Sequence, residues 1–204
     1  MIELILASTS PFRKKQLEDL NIPFTVQASN VDEDIFKEQS LPAKNLAPIL
    51  ARAKAECVVK NYKNCAVIAA DQIVDFNHTH YGKAGSAEKA IKQLESLNGH
   101  CHQLITSACC FYQGEYSTFT VVSEMHMRKL TREQISNYVY TDKAWDCAGS
   151  YKIEKNGLVL FKEIQTNDHS AIIGLPMMAV IGWLLRINFP VPALHSKPLN
   201  LPES

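Results

Sequence analysis

Residues 2–20, IELILASTSPFRKKQLEDL, decide the fold class. Ile2 to Ala7 is an apolar run of strand length, buried on both sides if it sits inside a sheet. Ser10 and Pro11 follow, a capping side chain and then a proline at the first helical position, so the chain turns into a helix that runs to about Leu20. Strand, short turn, helix is the opening of an α/β chain.

The rest of the chain extends that pattern. Asn21 to Asp34 reads as loop with a short extended piece at Phe24-Thr25-Val26. A second helix places Leu46, Ile49, Leu50, Ala53 and Cys57 on one face, with Pro48 expected in its first turn. Ala66 to Val74 is an apolar strand interrupted by Asp71 and Gln72, and a polar turn with Asn77, His78, His80 and Gly82 follows. Ser86 caps a helix that ends at Asn98-Gly99 and turns Ala87, Ala90, Ile91, Leu94 and Leu97 inward. His102–Tyr112 and Tyr116–Leu130 are β-like runs joined through Gln113-Gly114-Glu115 as an antiparallel hairpin. Thr131 and Gln134 form a capping box for a helix to about Tyr140. Leu158–Ile164 reads as a strand, and Pro176 opens a last helix to about Ile187. Strands that first alternate with helices and then pair as a hairpin predict a mixed, twisted sheet flanked by helices. Residues 1–188 form the expected domain, and residues 189–204, with four prolines, a loosely held tail.

Composition narrows the function. Lys plus Arg equals Asp plus Glu at 21 each, so no overall field favours a nucleic-acid polymer or an acidic membrane. A small charged ligand in one pocket remains compatible. Positive charges follow the first apolar run rather than precede it, the reverse of a signal peptide, and the six cysteines form no CxxC pair. A cytoplasmic protein with reduced core thiols is expected.

Several residues bear on chemistry. A helix start preceded by Ser8, Thr9 and Ser10 and followed by Arg13 presents donors to an anion; a capped helix with solvated basic residues explains the same letters. Asp71 inside an apolar strand requires a cation, because an unpaired buried carboxylate is costly. A lysine or a metal would serve, and Asp32, Glu33 and Asp34 supply further hard oxygens for Mg²⁺ or leave only a solvated acidic loop. Lys54, at the border of its helix's buried face, and Lys83 either point inward toward Arg13 and Asp71 or lie on the surface. His78/His80 and His100/His102 have the spacing of strand neighbours on one side, with Cys101 on the opposite face.

In order, LILASTSPFRKKQL, Asp32-Glu33, ARAKAE around Lys54, AADQIV, Gly82-Lys83, and CAGSYKIEKNGLVLF followed by IIGLPM resemble the Maf family from about Leu4 to Leu185. That resemblance implies nucleoside triphosphate pyrophosphatases, which cut between the α- and β-phosphates. It also implies a divalent metal (Mg²⁺ or Mn²⁺), a two-lobed fold like that of inosine triphosphatase with a central cleft, and a homodimer. By position it implies phosphate contacts from Ser8, Arg13, Lys54 and Lys83, an acidic role and metal binding for Glu33, and for Asp71 proton acceptance, metal binding or both.

The sequence further resembles the branch of that family acting on 7-methyl-GTP. Phe12 stands where that branch has an aromatic residue and the dTTP/UTP branch has arginine; Gln72 replaces that other branch's threonine and Glu154 its glutamine. An aromatic face attracts the positive charge of N7-methylguanine, and a carboxylate accepts from guanine N1–H and N2–H. The family's usual proline after Gly82-Lys83 is Ala84, and its Thr-Gly is Thr106-Ser107. The alternatives are the same chemistry on dTTP, UTP or another noncanonical nucleotide, and a non-catalytic nucleotide-binding regulator of cell division.

Overall fold

The computed structural model describes residues 2–37, 41–62 and 64–194. In chain order the elements are β1 (Glu3–Leu6), α1 (Pro11–Glu18), β2 (Thr25–Val26), α2 (Asp34–Lys37), α3 (Ala43–Val59), β3 (Cys65–Phe76), β4 (Thr79–Tyr81), α4 (Ala87–Leu97), β5 (Cys101–Tyr112), β6 (Glu115–Met127), α5 (Arg132–Asp142), β7 (Phe161–Gln165), α6 (Ser170–Ile173) and α7 (Met177–Arg186). They build one mixed sheet in the order β2-β1-β3-β5-β6-β7, with β4 added at the far end of β3. β1 pairs parallel to β2 and β3, and the other pairings are antiparallel.

Alternation along β3 sends its residues to two faces. Val67, Ala69 and Ile73 face α3, whose Leu46, Ala47, Leu50, Ala51 and Ala55 cover them. Ala66, Ile68 and Ala70 face the other way, with Leu6 and Leu17, against Val180, Trp183 and Leu184 of α7. Farther along that second face Val74, Leu104 and Met125 pack under α4 and α5. Each buried leucine or isoleucine of α4 contributes about 1.5–3 kcal/mol, more than the helix's own propensity supplies. These two clusters on one face are the two lobes.

The cleft follows from strand lengths. β1 ends early: Ala7 N–H donates to Ile68 O at 2.8 Å, and the chain then turns into α1. β4 joins β3 only at Val74. Between these points residues 69–73 of β3 have no strand neighbour on that edge, and Asp71 and Gln72 lie in the gap.

Several sequence expectations hold. Ser10 caps α1, Ser86 caps α4, and Thr131 with Gln134 forms a capping box. The β5–β6 hairpin turns at Gln113 and Gly114, both with positive φ (49° and 88°) as a two-residue turn of that twist requires.

Others are corrected. β3 holds Asp71 and Gln72 within it as read, with Lys54 from α3 compensating the charge, but it runs longer, from Cys65 to Phe76. Pro48 falls in the second turn of α3, since the helix begins at Ala43. Its buried face is rotated to Leu46, Ala47, Leu50, Ala51, Lys54 and Ala55, leaving Ile49 exposed. The polar turn after β3 contributes β4, and β6 stops at Met127 rather than Leu130. Residues 157–160 form a 3₁₀ turn with Leu158 and Val159 exposed, so the strand starts only at Phe161. The tail is not loose where it begins: Phe189 and Val191 are buried beside α7. The remainder of the expected tail, 195–204, lies outside the described residues.

Candidate active site

The gap on β3 opens into a cavity of about 800 Å³, within the range of ligand pockets. Ser8, Phe12, Arg13, Glu33, Lys54, Asp71, Gln72, Lys83 and Glu154 all line it. Nine residues chosen from the sequence therefore meet in one place.

Asp71 forms its floor on the α3 face. It is 6% exposed, and isolated there its carboxylate would cost several kcal/mol. Lys54, central on the buried face of α3, donates to Asp71 Oδ1 at 2.6 Å and pairs with Glu33 Oε1 at 2.7 Å. One ammonium thus holds two carboxylates together.

Arg13 comes from the first turn of α1. Its Nε donates to Gly174 O at 3.0 Å, and its Nη1 to Ala70 O at 2.7 Å and Ser8 Oγ at 3.3 Å. Ala70 O is an edge carbonyl of the β3 gap, so the guanidinium replaces the missing strand neighbour and is itself fixed. Nη2 takes part in none of these bonds. Burial pushes the Arg13 pKa down while Asp71 and Glu33 pull it up, and arginine stays charged. Gly174, at φ 145°, admits this packing: a Cβ there would stand 3.1 Å from Arg13 Cγ. Ser8 Oγ also accepts from Ser10 N–H at 3.2 Å, shaping the turn before the helix.

On the opposite sheet face Gln72 Nε2 donates to Thr106 Oγ1 at 2.9 Å and to the carbonyls of Ala171 and Ile172, each at 3.1 Å. Its amide nitrogen is therefore engaged by the protein, and toward a ligand Gln72 is an acceptor. Thr106 Oγ1 donates to Ala171 O at 2.8 Å, which ties α6 to the sheet.

The far wall is the segment 146–154. Lys83 pairs by its backbone with Ala148, and Gly85 N–H donates to Trp145 O at 2.8 Å, so the Gly82-Lys83 loop lies against this wall. Ala84, where the family has proline, is buried in the α4–α5 lobe. The loop to Glu154 is pinned from below. Lys152 N–H donates to Tyr138 Oη at 3.0 Å, and Asp142 accepts from Asn156 N–H at 3.1 Å and Nδ2 at 2.6 Å. Glu154 is exposed at its tip, and partial burial raises its pKa, opposed by Lys152 and Lys155. The Lys152 ammonium lies 5.9 Å from the Phe12 ring centroid and 2.9 Å from Asp146, which offsets its charge.

Tyr151 and Ile153 line the cavity as well, though the sequence reading used CAGSYKIEKNG only for Glu154. Tyr151 is held by His102, whose Nε2 is 3.2 Å from the phenol oxygen. The alternating apolar letters of that stretch carry the signal that both face inward. His102 is buried in the α4–α5 lobe and His100 stacks on Phe76 at 5.3 Å, while His78 and His80 are exposed, so neither histidine pair gathers as ligands. Cys109 and Cys110 are core residues whose thiols burial pushes well up, away from reactivity.

Among the described residues no helix is long and apolar enough to cross a membrane. The family described as Maf-like protein matches residues 3–187. A 7-methyl-GTP pyrophosphatase of Bdellovibrio bacteriovorus is 44% identical over 86% of this chain and 92% of its own length. One of Colwellia psychrerythraea is 34% identical over 97% of this chain and 98% of its own. A dTTP/UTP pyrophosphatase of Halalkalibacterium halodurans is 35% identical over 89% and 94%. The solved Staphylococcus aureus Ham1 protein aligns at a TM-score of 0.43 with 17% identity over 61% of this chain and 71% of that one, too slight a likeness to bear on the site. With its motifs in order and the match spanning nearly all of its length, the chain belongs to the Maf family.

Proposed function

We propose that this protein hydrolyses 7-methyl-GTP between the α- and β-phosphates, releasing the nucleoside monophosphate and pyrophosphate. The observation that carries the reading is the meeting, in one cavity, of the charged groups Arg13, Lys54, Lys83, Glu33 and Asp71 with Phe12, Gln72 and Glu154. Relatives named as pyrophosphatases support the reaction class.

The phosphate end is Ser8, Arg13, Lys54 and Lys83, with the start of α1 adding backbone N–H groups. Arg13 is already fixed by Ser8, Ala70 and Gly174, so little ordering is left for a bound phosphate to impose. Lys54 sets the position of Asp71 and Glu33 and adds positive charge. Asp71 orients the attacking water and accepts its proton.

A divalent cation, Mg²⁺ or Mn²⁺, fits the same end, because Asp71 and Glu33 are hard oxygen donors brought to a single point on Lys54. When bound it would neutralise phosphate charge and polarise the phosphoryl oxygens.

At the base end Phe12 offers an aromatic face to the methylated, positively charged ring, Glu154 accepts from N1–H and N2–H, and Gln72 contributes an acceptor. A cytoplasmic homodimer completes the proposal; light scattering on the purified chain tests the dimer.

The deciding experiment is metal-dependent pyrophosphate release from 7-methyl-GTP beside GTP, dTTP and UTP. We expect 7-methyl-GTP to give the highest kcat/KM. Equal turnover of all four would reject the base assignment, and nucleotide binding without turnover would favour the non-catalytic regulator. Full activity in folded Asp71→Asn would remove Asp71 from the chemistry.

A further inference from the structure

On the sheet face that carries Asp71, the cover given by α3 ends over Ile105 and Val122. β5 and β6 continue past it. There Cys101 pairs in register with His126, and Gln103 with Glu124, so alternation brings Cys101, His126 and Glu124 to the same side. The sequence reading set Cys101 apart from its neighbouring histidines; its partner comes from the next strand.

The distances are those of a coordination shell. Cys101 Sγ is 3.8 Å from His126 Nε2, His126 Nε2 is 3.8 Å from Glu124 Oε2, and all three donor atoms lie within 4.8 Å of one another. Tetrahedral zinc, with bonds of about 2.3 Å to sulfur and about 2.1 Å to nitrogen and oxygen, separates its donors by about 3.4–3.6 Å. Nitrogen and oxygen at 3.8 Å are too far apart to hydrogen-bond well, and the one contact within the group is the long, weak hydrogen bond between Cys101 Sγ and His126 Nε2. Adjustments of a few tenths of an ångström would close the shell, and the side chains of His126 and Glu124 are partly exposed, at 22% and 48%.

We propose that Cys101, His126 and Glu124 form a zinc site, with the fourth position left to water. A thiol and an imidazole select zinc over Mg²⁺. Glu163, in register with His126 on β7, adds a second negative charge beside the cluster. Burial, Glu124 and Glu163 together push the Cys101 thiol up, and a bound cation reverses that balance. Among the described residues this is the one group of three or more His, Cys, Asp or Glu whose ligand atoms lie within 4.8 Å of one another. Cys101 is six residues along β5 from Ser107, the register partner of Asp71. That is about 20 Å of strand, which separates this site from the cleft. The β5–β6 hairpin is closed at Gln113-Gly114, and zinc would clamp its open end.

The test uses the full chain, stripped with a chelator, dialysed, and titrated with Zn²⁺ against a chromogenic chelator. We expect one site per chain, weakened at least about 100-fold by Cys101→Ser or His126→Ala, beyond the usual effect of losing an outer-shell partner. Co²⁺ loading should give a thiolate-to-cobalt charge-transfer band that C101S lacks. Zn²⁺ should raise the Tm of the parent chain but not of C101S, while C101S keeps its Mg²⁺-dependent turnover. Absence of binding by the parent chain overturns the proposal. So does zinc retained by both variants, or a Co²⁺ complex without the thiolate band.

Discussion

Replacing Lys54 with methionine isolates the electrostatics of the cleft floor. Methionine has similar length and helix propensity, so the change removes one ammonium and little else. That nitrogen touches Asp71 and Glu33 oxygens at 2.6 and 2.7 Å, which places the two oxygens no more than about 5.3 Å apart. Two negative charges at about 5 Å, in surroundings of effective dielectric about 20, repel by about 3 kcal/mol. Removing one partner of a buried pair costs about 3–5 kcal/mol, and the Glu33 side chain is 37% exposed, which favours the lower figure. We expect Lys54→Met to lose about 3 kcal/mol, a fall in Tm of about 6–12 °C for a chain of this size. Asp71→Asn in the same chain removes the buried charge, so the double variant should regain much of that loss. Urea unfolding of the parent, both single variants and the double variant measures the coupling. A Lys54→Met protein as stable as the parent, or a double variant no more stable than Lys54→Met alone, would refute the reasoning.

Two further outcomes are open to measurement. Phe12→Leu and Glu154→Gln should each lower kcat/KM for 7-methyl-GTP relative to UTP by about 3- to 30-fold, the span of a cation–π contact or one hydrogen bond to a charged group; an unchanged ratio in both would separate these residues from base selection. His102 is neutral because burial, aided by His126, lowers its pKa from 6.5 to about 4. Its contribution to stability is complete above 6.5 and is lost as pH falls toward 4, about 3 kcal/mol in all. Urea unfolding across that window should show the slope, and His102→Gln should flatten it; an NMR titration midpoint near 6.5 would contradict it.

Much of the fold was legible where local signals agree. The apolar letters of β1 from Leu4 onward, the Ser10-Pro11 cap, the Ser86 cap and the Thr131/Gln134 box each act within a few residues, and each element formed where they place it. The failures share a cause of the opposite kind. The partner of Asp71 stayed open between a lysine and a metal because its counter-ion sits 17 residues away on α3. The face of α3 differs at Ile49 because the small Ala47, Ala51 and Ala55 and the ion-paired Lys54 lie against the sheet, a stripe that apolar periodicity does not pick out. Leu158 and Val159 looked like strand. Gly157 instead packs so tightly on the Lys152 carbonyl, with a Cβ position 2.4 Å from it, that the chain turns there and exposes both. Cys101 found its partner across a strand pair, where periodicity within one strand gives no register.

The same topology divides the labour of the cleft. Ser8, Arg13, Lys54, Glu33 and Asp71 come from the end of β1, the start of α1, α3, the loop before α2, and the unpaired edge of β3, around the part of the sheet that α7 covers on one face and α3 on the other. Glu154 and Tyr151 come from a loop braced by Tyr138 and Asp142 of α5, in the other lobe. Lys83 lines the cavity from that second lobe, where its backbone pairs with Ala148. On the proposed function, a change confined to the 151–156 loop should alter which base is accepted while leaving the Lys54–Asp71–Glu33 contacts untouched. On the same proposal a change in Lys54 should not spare the reaction, because the group that neutralises Asp71 is also the one that places it.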